Sequence, residues 1–343
     1  MYISGWGRTV DDIRRFVKRK AEVPVDPPFS VEIFIVNKVG RQPPALKNTA
    51  INGTKVRKFN EFPSWTALID HLENTITRPG TYLPEPGQCG NVILNPINGD
   101  NVTKTNEFPW MALIEYEKSA QCIIELPGHS KPFRVRLGEW NTSTDKDCEV
   151  DTRGIKNCAD SYIDVTIEKL IRHEKFKILS FEGPRNDIAL IRLSRIVDYT
   201  DYIRPICLPL DDILKESTFD GHKMYFYDWE IADFGHGIEK NVKRKAEVSV
   251  VPLNECKRLF SHRVDIGTSQ LCAGGQKGIA PCRGDAGGPL IGLDFSNKQR
   301  VYNFIAGIVS FGVGASPCGQ RGWPSVYTRV GYHVDWIKQH IEP

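Results

Sequence analysis

The stretch Gly284-Asp285-Ala286-Gly287-Gly288-Pro289-Leu290 decides how this chain is read. It stands between Cys282 and the apolar run FIAGIVSFG at 304–312. Its glycines carry no Cβ, so the backbone can turn sharply and pass close to its neighbours. The N–H groups of Gly284 and Ala286 can then aim at one point, as an oxyanion hole requires. Ala286, in the middle of the loop, offers a methyl group and no proton to give up.

Outward from this loop, short apolar runs are separated by Gly, Pro, Asn and Asp. FRVRL (133–137), DIALIRL (187–193) and FIAGIVSFG (304–312) are examples. That pattern predicts a β-sandwich or barrel. The closing residues, YHVDWIKQHIEP, differ. Val334, Ile337 and Ile341 fall at helical spacing, which predicts a C-terminal helix.

The 343 residues give room for two domains, or one large domain with an extension. Apolar residues make up 40%, too many for a disordered chain. A net charge of +3 is too balanced to predict binding to nucleic acid or an anionic membrane. No apolar run approaches the roughly 18 residues of a membrane span. Nine cysteines lie far apart with no tight CxxC pair. This usage predicts disulfides and an oxidising, extracellular compartment. Nine is odd, so at least one thiol lacks an intramolecular partner. Sequons at Asn52, Asn101 and Asn141 suit secretion, although such triplets are common by chance. Residues 1–20 hold no continuous apolar stretch of the kind a secretory signal needs.

The first hundred residues read differently. They contain the pairs Pro27-Pro28 and Pro43-Pro44, and RPGTYLPEPGQ (78–88) reads as an extended linker. VKRKAEV occurs at 17–23 and again at 242–248, and INGTKVRKFNEFPSWTAL (51–68) parallels INGDNVTKTNEFPWMAL (97–113). These repeats share no fixed period, so they are not a solenoid. The organisation is an irregular extension (1–77), a linker (78–96) and a main domain (97–343).

GDAGGPL resembles the active-site loop of the chymotrypsin/trypsin family, which carries serine where this chain has Ala286. EFPWMALIEY (107–116), RNDIALIRL (185–193), RPICLP (204–209) and GWPSVYTRV (322–330) follow one another as in that family. LPEPGQCG (83–90) and VRLGEWNTSTDKDC (135–148) are similar to arthropod clip-domain serine proteases, although no clip domain with its own six cysteines is recognisable. The resemblance implies an all-β fold of two six-stranded antiparallel barrels and a C-terminal helix. It implies bridges Cys89–Cys207, Cys148–Cys158, Cys256–Cys272 and Cys282–Cys318, with Cys122 left alone. Each bridge could contribute about 2–4 kcal/mol.

The resemblance also assigns the site. Asp187 is the retained triad carboxylate, and Ala286 stands at the nucleophile position. The base should lie in KSAQC (118–122), which puts Gln121 where histidine is expected; alternatively that segment is deleted. Neither reading leaves a base, and His129 and His173 are poor substitutes. Gly284 and Ala286 would form the oxyanion hole. Ala280, Ser310, Gly312 and Ser325 would form the specificity pocket, with Ala280 replacing the aspartate that binds basic side chains. Ile97 and Asp285 are the activation pair, but Pro96 precedes Ile97. Arg283-Gly284-Asp285 is read as site loop rather than adhesion tripeptide. Glu139, Asn141 and Asp147 lie in a loop where some relatives bind Ca²⁺; a solvated polar loop is the simpler reading, and no cofactor is expected.

The strand that precedes the histidine in the family is also lost, because Cys122 follows Tyr116 within six residues. The first barrel is therefore expected to be incomplete or to borrow a strand, with residues 51–70 as the candidate donor. The function implied is a non-catalytic serine protease homologue, a secreted regulator or cofactor in a clip-protease cascade whose partners are other cascade proteins. An active endopeptidase, as the family label would assign, and a degenerate gene product are the alternatives. For this family, loss of the triad leaves about 10³–10⁴-fold rate over water from the oxyanion hole and binding.

Overall fold

Strands with period-two patterning must each bury one face. Here they do so in two main sheets and two small hairpins. The structure, a computed structural model, describes residues 8–9, 33–36, 83–84, 86–91, 102–116, 132–150, 153–179, 183–229, 241–276, 279–281, 285–296, 301–312 and 319–341. The extension supplies β1 (Arg8–Thr9) and β2 (Ile33–Val36). The first half of the main domain supplies β3 (Ala112–Tyr116), β4 (Pro132–Leu137), β5 (Cys148–Val150), β6 (Lys156–Cys158), β7 (Ile163–Arg172), β8 (Lys177–Leu179), β9 (Gly183–Arg185) and β10 (Ala189–Leu193). Helix α1 (Asp212–Glu216) leads to β11 (Lys223–Asp228), β12 (Arg244–Val251), α2 (Leu253–Phe260), β13 (Gln270–Ala273), β14 (Pro289–Asp294), β15 (Tyr302–Gly312), β16 (Ser325–Arg329) and α3 (Val330–His340).

The second half closes. Its strands run in the order β15-β14-β11-β12-β13-β16, and β16 pairs back onto β15. This is a six-stranded barrel without a free edge in its ring. Phe226, Val248, Val250, Leu290, Phe304 and Ala306 fill it, all buried. The first sheet has the order β2-β10-β7-β4-β3. Its four main-domain strands are antiparallel, whereas β2 lies parallel to β10, Ile33 opposite Ala189 and Val36 opposite Arg192. Among the described residues this sheet does not close. The strand beside β10 comes from residues 33–36; the candidate donor 51–70 lies outside the described residues. A second apolar cluster joins the halves: Met111, Leu113, Ile188 and Leu190 pack with Ile291, Ile305, Ile308 and, from α3, Trp336 and Ile337. The helix expected from residues 334, 337 and 341 is α3, with Ile341 at its C-terminal cap.

Disulfides Cys89–Cys207, Cys148–Cys158 and Cys256–Cys272 are formed. Cys122, Cys282 and Cys318 lie outside the described residues. The first bond fixes the linker to the second barrel. Gly90 accepts from the Asn303 N–H at 2.8 Å and donates to the Pro205 carbonyl at 3.0 Å. Its φ is +63°, and a Cβ there would stand 2.1 Å from the Asn303 carbonyl oxygen. Only glycine fits such an approach.

Charge is also buried. Arg136 donates to both carboxylate oxygens of Asp164, at 2.8 and 3.1 Å, and to Glu139 at 3.3 Å. Its guanidinium lies 3.6 Å from the Tyr162 ring centre. These contacts tie β4 to β7. Across the barrels, Lys245 meets Glu107 at 2.6 Å with both side chains over 90% buried. Losing one partner of such a pair costs about 3–5 kcal/mol. Lys243, just before β12, donates to the Phe108 carbonyl. Burial pushes its ammonium down to about 8, although Glu107, Asp147 and Glu139 pull the other way.

Two predictions follow from these contacts. Gly90→Ala should lower the unfolding free energy by more than about 2 kcal/mol, combining left-handed strain with the carbonyl clash. Gly154→Ala, also at positive φ but with open space around it, should cost only about 1 kcal/mol. Non-reducing urea denaturation of both variants checks the difference. For Lys243, the folded value lies below the ordinary 10.5, so the unfolded chain binds more protons between about pH 8 and 10.5. Stability from this group therefore rises with pH across that window, by about 3 kcal/mol in full. Lys243→Met should flatten the rise seen in wild type between pH 8 and 10. An unchanged slope would assign the rise to another group.

Candidate active site

Asp187 follows β9 and precedes β10, at the seam between the two halves. It is 2% exposed. Asn186 before it takes a φ of +51°, a conformation asparagine tolerates better than most residues. The Ser310 hydroxyl donates to Asp187 Oδ2 at 2.8 Å. The Thr328 hydroxyl donates to the Asp187 backbone carbonyl at 2.8 Å. A carboxylate from the first half is thus held by β15 and β16 of the second. Ser310 can do this because β15 bulges there. Val309 pairs with Tyr327 and Phe311 with Val326, so Ser310 is the extra residue. A bulge re-aims one side chain. Here the hydroxyl turns to Asp187 and is only 2% exposed.

The glycine-rich loop is anchored to the same strand. Gly287 donates to the Val309 carbonyl at 3.1 Å, Val309 donates back to Gly288 at 2.9 Å, and Gly288 donates to Asp285 at 2.9 Å. Gly287 sits at φ +88°. Ala286 lies half-buried in the turn these bonds define. All the anchoring groups are backbone, so the loop does not need a side chain at 286. Gly284, the other oxyanion donor expected, lies outside the described residues.

Ala280 and Ser325 are both buried. A carbon added at Gly312 would stand 3.7 Å from the Ser325 hydroxyl, so these two face each other across adjacent strands. Asp285 is buried as well. Burial, with the Asp285 charge added, holds the Tyr327 hydroxyl protonated well above the ordinary tyrosine range. That hydroxyl has no hydrogen-bond partner among the described residues. Ala280, Gly312 and Ser325 are small and neutral.

Gln121, Ile97 and His129 lie outside the described residues. His173 does not act from the site. Its Nδ1 accepts the Lys175 N–H at 3.1 Å, and its ring stacks on Trp336 at 4.7 Å. Burial lowers its pKa. His333 joins that cluster edge-on at 5.5 Å, with one ring nitrogen toward the Arg329 carbonyl. Its other ring nitrogen lies 3.3 Å from Asn186 Oδ1, and burial pushes it down to about 4. Sequence reading did not find Thr328 as a support of Asp187, nor the contact of His333 with Asn186 beside it. Both contacts span more than 100 positions, which local spacing does not carry.

The loop with Glu139, Asn141 and Asp147 is used internally. Asp147 Oδ2 accepts the Trp140 and Asn141 N–H groups at 2.9 and 3.0 Å, and Oδ1 accepts the Thr144 hydroxyl. Burial, then the Asp147 charge, raises the Glu139 pKa. Among the described residues no group of three or more His, Cys, Asp or Glu could hold a metal.

The trypsin family model matches residues 141–337. The serine protease ea of Drosophila melanogaster is 46% identical, over 76% of this chain and 71% of that protein. Melanization protease 1 of the same fly is 37% identical, over 86% and 78%. The crystal structure of the Drosophila clip serine protease Grass of the Toll pathway superposes with a TM-score of 0.58 at 30% identity, covering 73% of each chain. With its closed barrel, its glycine-rich loop and its anchored aspartate, the chain belongs to the trypsin family as a homologue of the arthropod clip-domain serine proteases.

Proposed function

We propose that this chain is a non-catalytic serine protease homologue that works as an extracellular regulator or cofactor within a clip-protease cascade. One observation carries the reading: backbone bonds among Asp285, Gly287, Gly288 and Val309 hold the turn around Ala286, which has no hydroxyl. Nucleophilic catalysis needs a nucleophile and a base that takes its proton. The chain lacks the first, and Gln121 in KSAQC cannot serve as the second at neutral pH. What persists is a surface shaped like a protease, suited to binding cascade proteins. Three disulfides fit an oxidising compartment. No helix among the described residues is long and apolar enough to cross a membrane. The reading invokes no cofactor.

A fluorophosphonate probe tests it. Wild-type protein should not be labelled and should cleave no peptide above background. Ala286→Ser should also stay unlabelled, because a serine without a base remains protonated. Labelling of the wild type would overturn the proposal. Activity in Ala286→Ser alone would show that a base is present and that a single residue silences the site.

A further inference from the structure

The strand beside β10 is unusual in origin and direction. β10 pairs antiparallel with β7 on one side, Ala189 opposite Arg172 and Arg192 opposite Lys169. On the other side it pairs parallel with β2, in the register Ala189–Ile33, Leu190–Phe34, Ile191–Ile35 and Arg192–Val36. β10 itself is buried, with Ile191 and Leu193 fully enclosed. A buried strand with unpaired N–H and C=O groups along one edge is costly and invites another chain. The family resemblance implies that a strand is missing between Tyr116 and Cys122, which lie six residues apart. IFIV at 33–36 has the β-branched and aromatic composition that a buried strand prefers.

The same extension touches the other barrel. β1 lies parallel to the end of β15, Arg8 opposite Phe311 and Thr9 opposite Gly312. The two contacts flank one bond. Ile33 stands opposite the residue two positions after Asp187, and Arg8 opposite the residue after Ser310. Asp187 and Ser310 are the pair joined at 2.8 Å across the barrels.

We propose that the edge of β10 is a strand-acceptor site whose occupant is this chain's own Ile33–Val36, and that the extension thereby serves as an intramolecular strap between the barrels. β2 replaces the lost strand of the first sheet, and β1 anchors the strap on the second barrel. The extension is then an integral part of the protease-like domain and not an appended tail. While it is in place, no other extended chain can take either edge. This inference does not depend on whether the site is catalytically silent.

Two measurements on the full chain test it. Ile33→Cys combined with Ala189→Cys joins residues that stand opposite in the register. A non-reducing peptide map should show an intrachain bond between them. Val36→Cys with Ala189→Cys, three positions out of register, should not bond. An interchain bond would mean that a second copy supplies the strand, and would overturn the intramolecular assignment. No bond in either pair, or equal bonding in both, would overturn the acceptor site. Amide exchange covers the case in which the cysteine variants misfold. In Ile35→Pro, which disrupts the extended pairing of β2, exchange within 189–192 should quicken at least tenfold while 304–309 is unchanged. Unaltered exchange at 189–192 in that variant would overturn the proposal.

Discussion

Strand β15 closes the second barrel by pairing with β14 on one side and β16 on the other, and that closure is the constraint on which the rest depends. Each part of the site takes its place from this strand. Near its start, Asn303 receives Gly90 and so fixes the linker. In its middle, Val309 anchors the glycine-rich loop. One residue on, the bulge turns Ser310 toward Asp187. At its end, Gly312 faces Ser325 and pairs with the extension. A closed ring of six strands allows little slippage, because a one-residue shift would turn every inward side chain outward. Position 310 is therefore fixed by the barrel, and Asp187 is fixed by position 310.

This dependence explains how the site keeps its form with alanine at position 286. The loop around Ala286 is held by the amides and carbonyls of Asp285, Gly287, Gly288 and Val309. The Asp187 carboxylate is held by hydroxyls of Ser310 and Thr328 from other strands. None of these bonds involves the side chain at 286. An alanine at this position therefore costs the fold little. The residues around it stay ordered for packing reasons alone.

Much of the fold was legible in the sequence, and the reason is local. GDAGGPL, DIALIRL and the helical spacing of residues 334, 337 and 341 are short signals that each specify one element. The three observed disulfides were legible only through the family resemblance, since spacing alone does not set pairing. Other features were hidden. Lys243, Arg244 and Lys245 are all buried, which no local signal marks. Lys245 meets Glu107 and Lys243 the Phe108 carbonyl, more than 130 positions away. Ser310 read as a pocket residue, and only the bulge shows where its hydroxyl goes. The strand donor was sought at 51–70 because that stretch resembles a domain start. The edge of β10 selects an apolar β-former instead, and residues 33–36 meet that requirement without resembling the lost strand.

The parallel pairing of β2 with β10 has a consequence for how the chain is made. Ile33 leaves the ribosome long before Ala189, the residue it must find. At about 5–20 residues per second, that gap is on the order of 10–30 s. Throughout it, the segment IFIV has no partner strand. A short, apolar, uncharged β-former is the kind of sequence that joins aggregates when left exposed. The flanking Glu32 and Lys38 put charge on either side of it, the placement expected of gatekeepers. The strap that completes the folded protein is thus also the part of the nascent chain most in need of shelter.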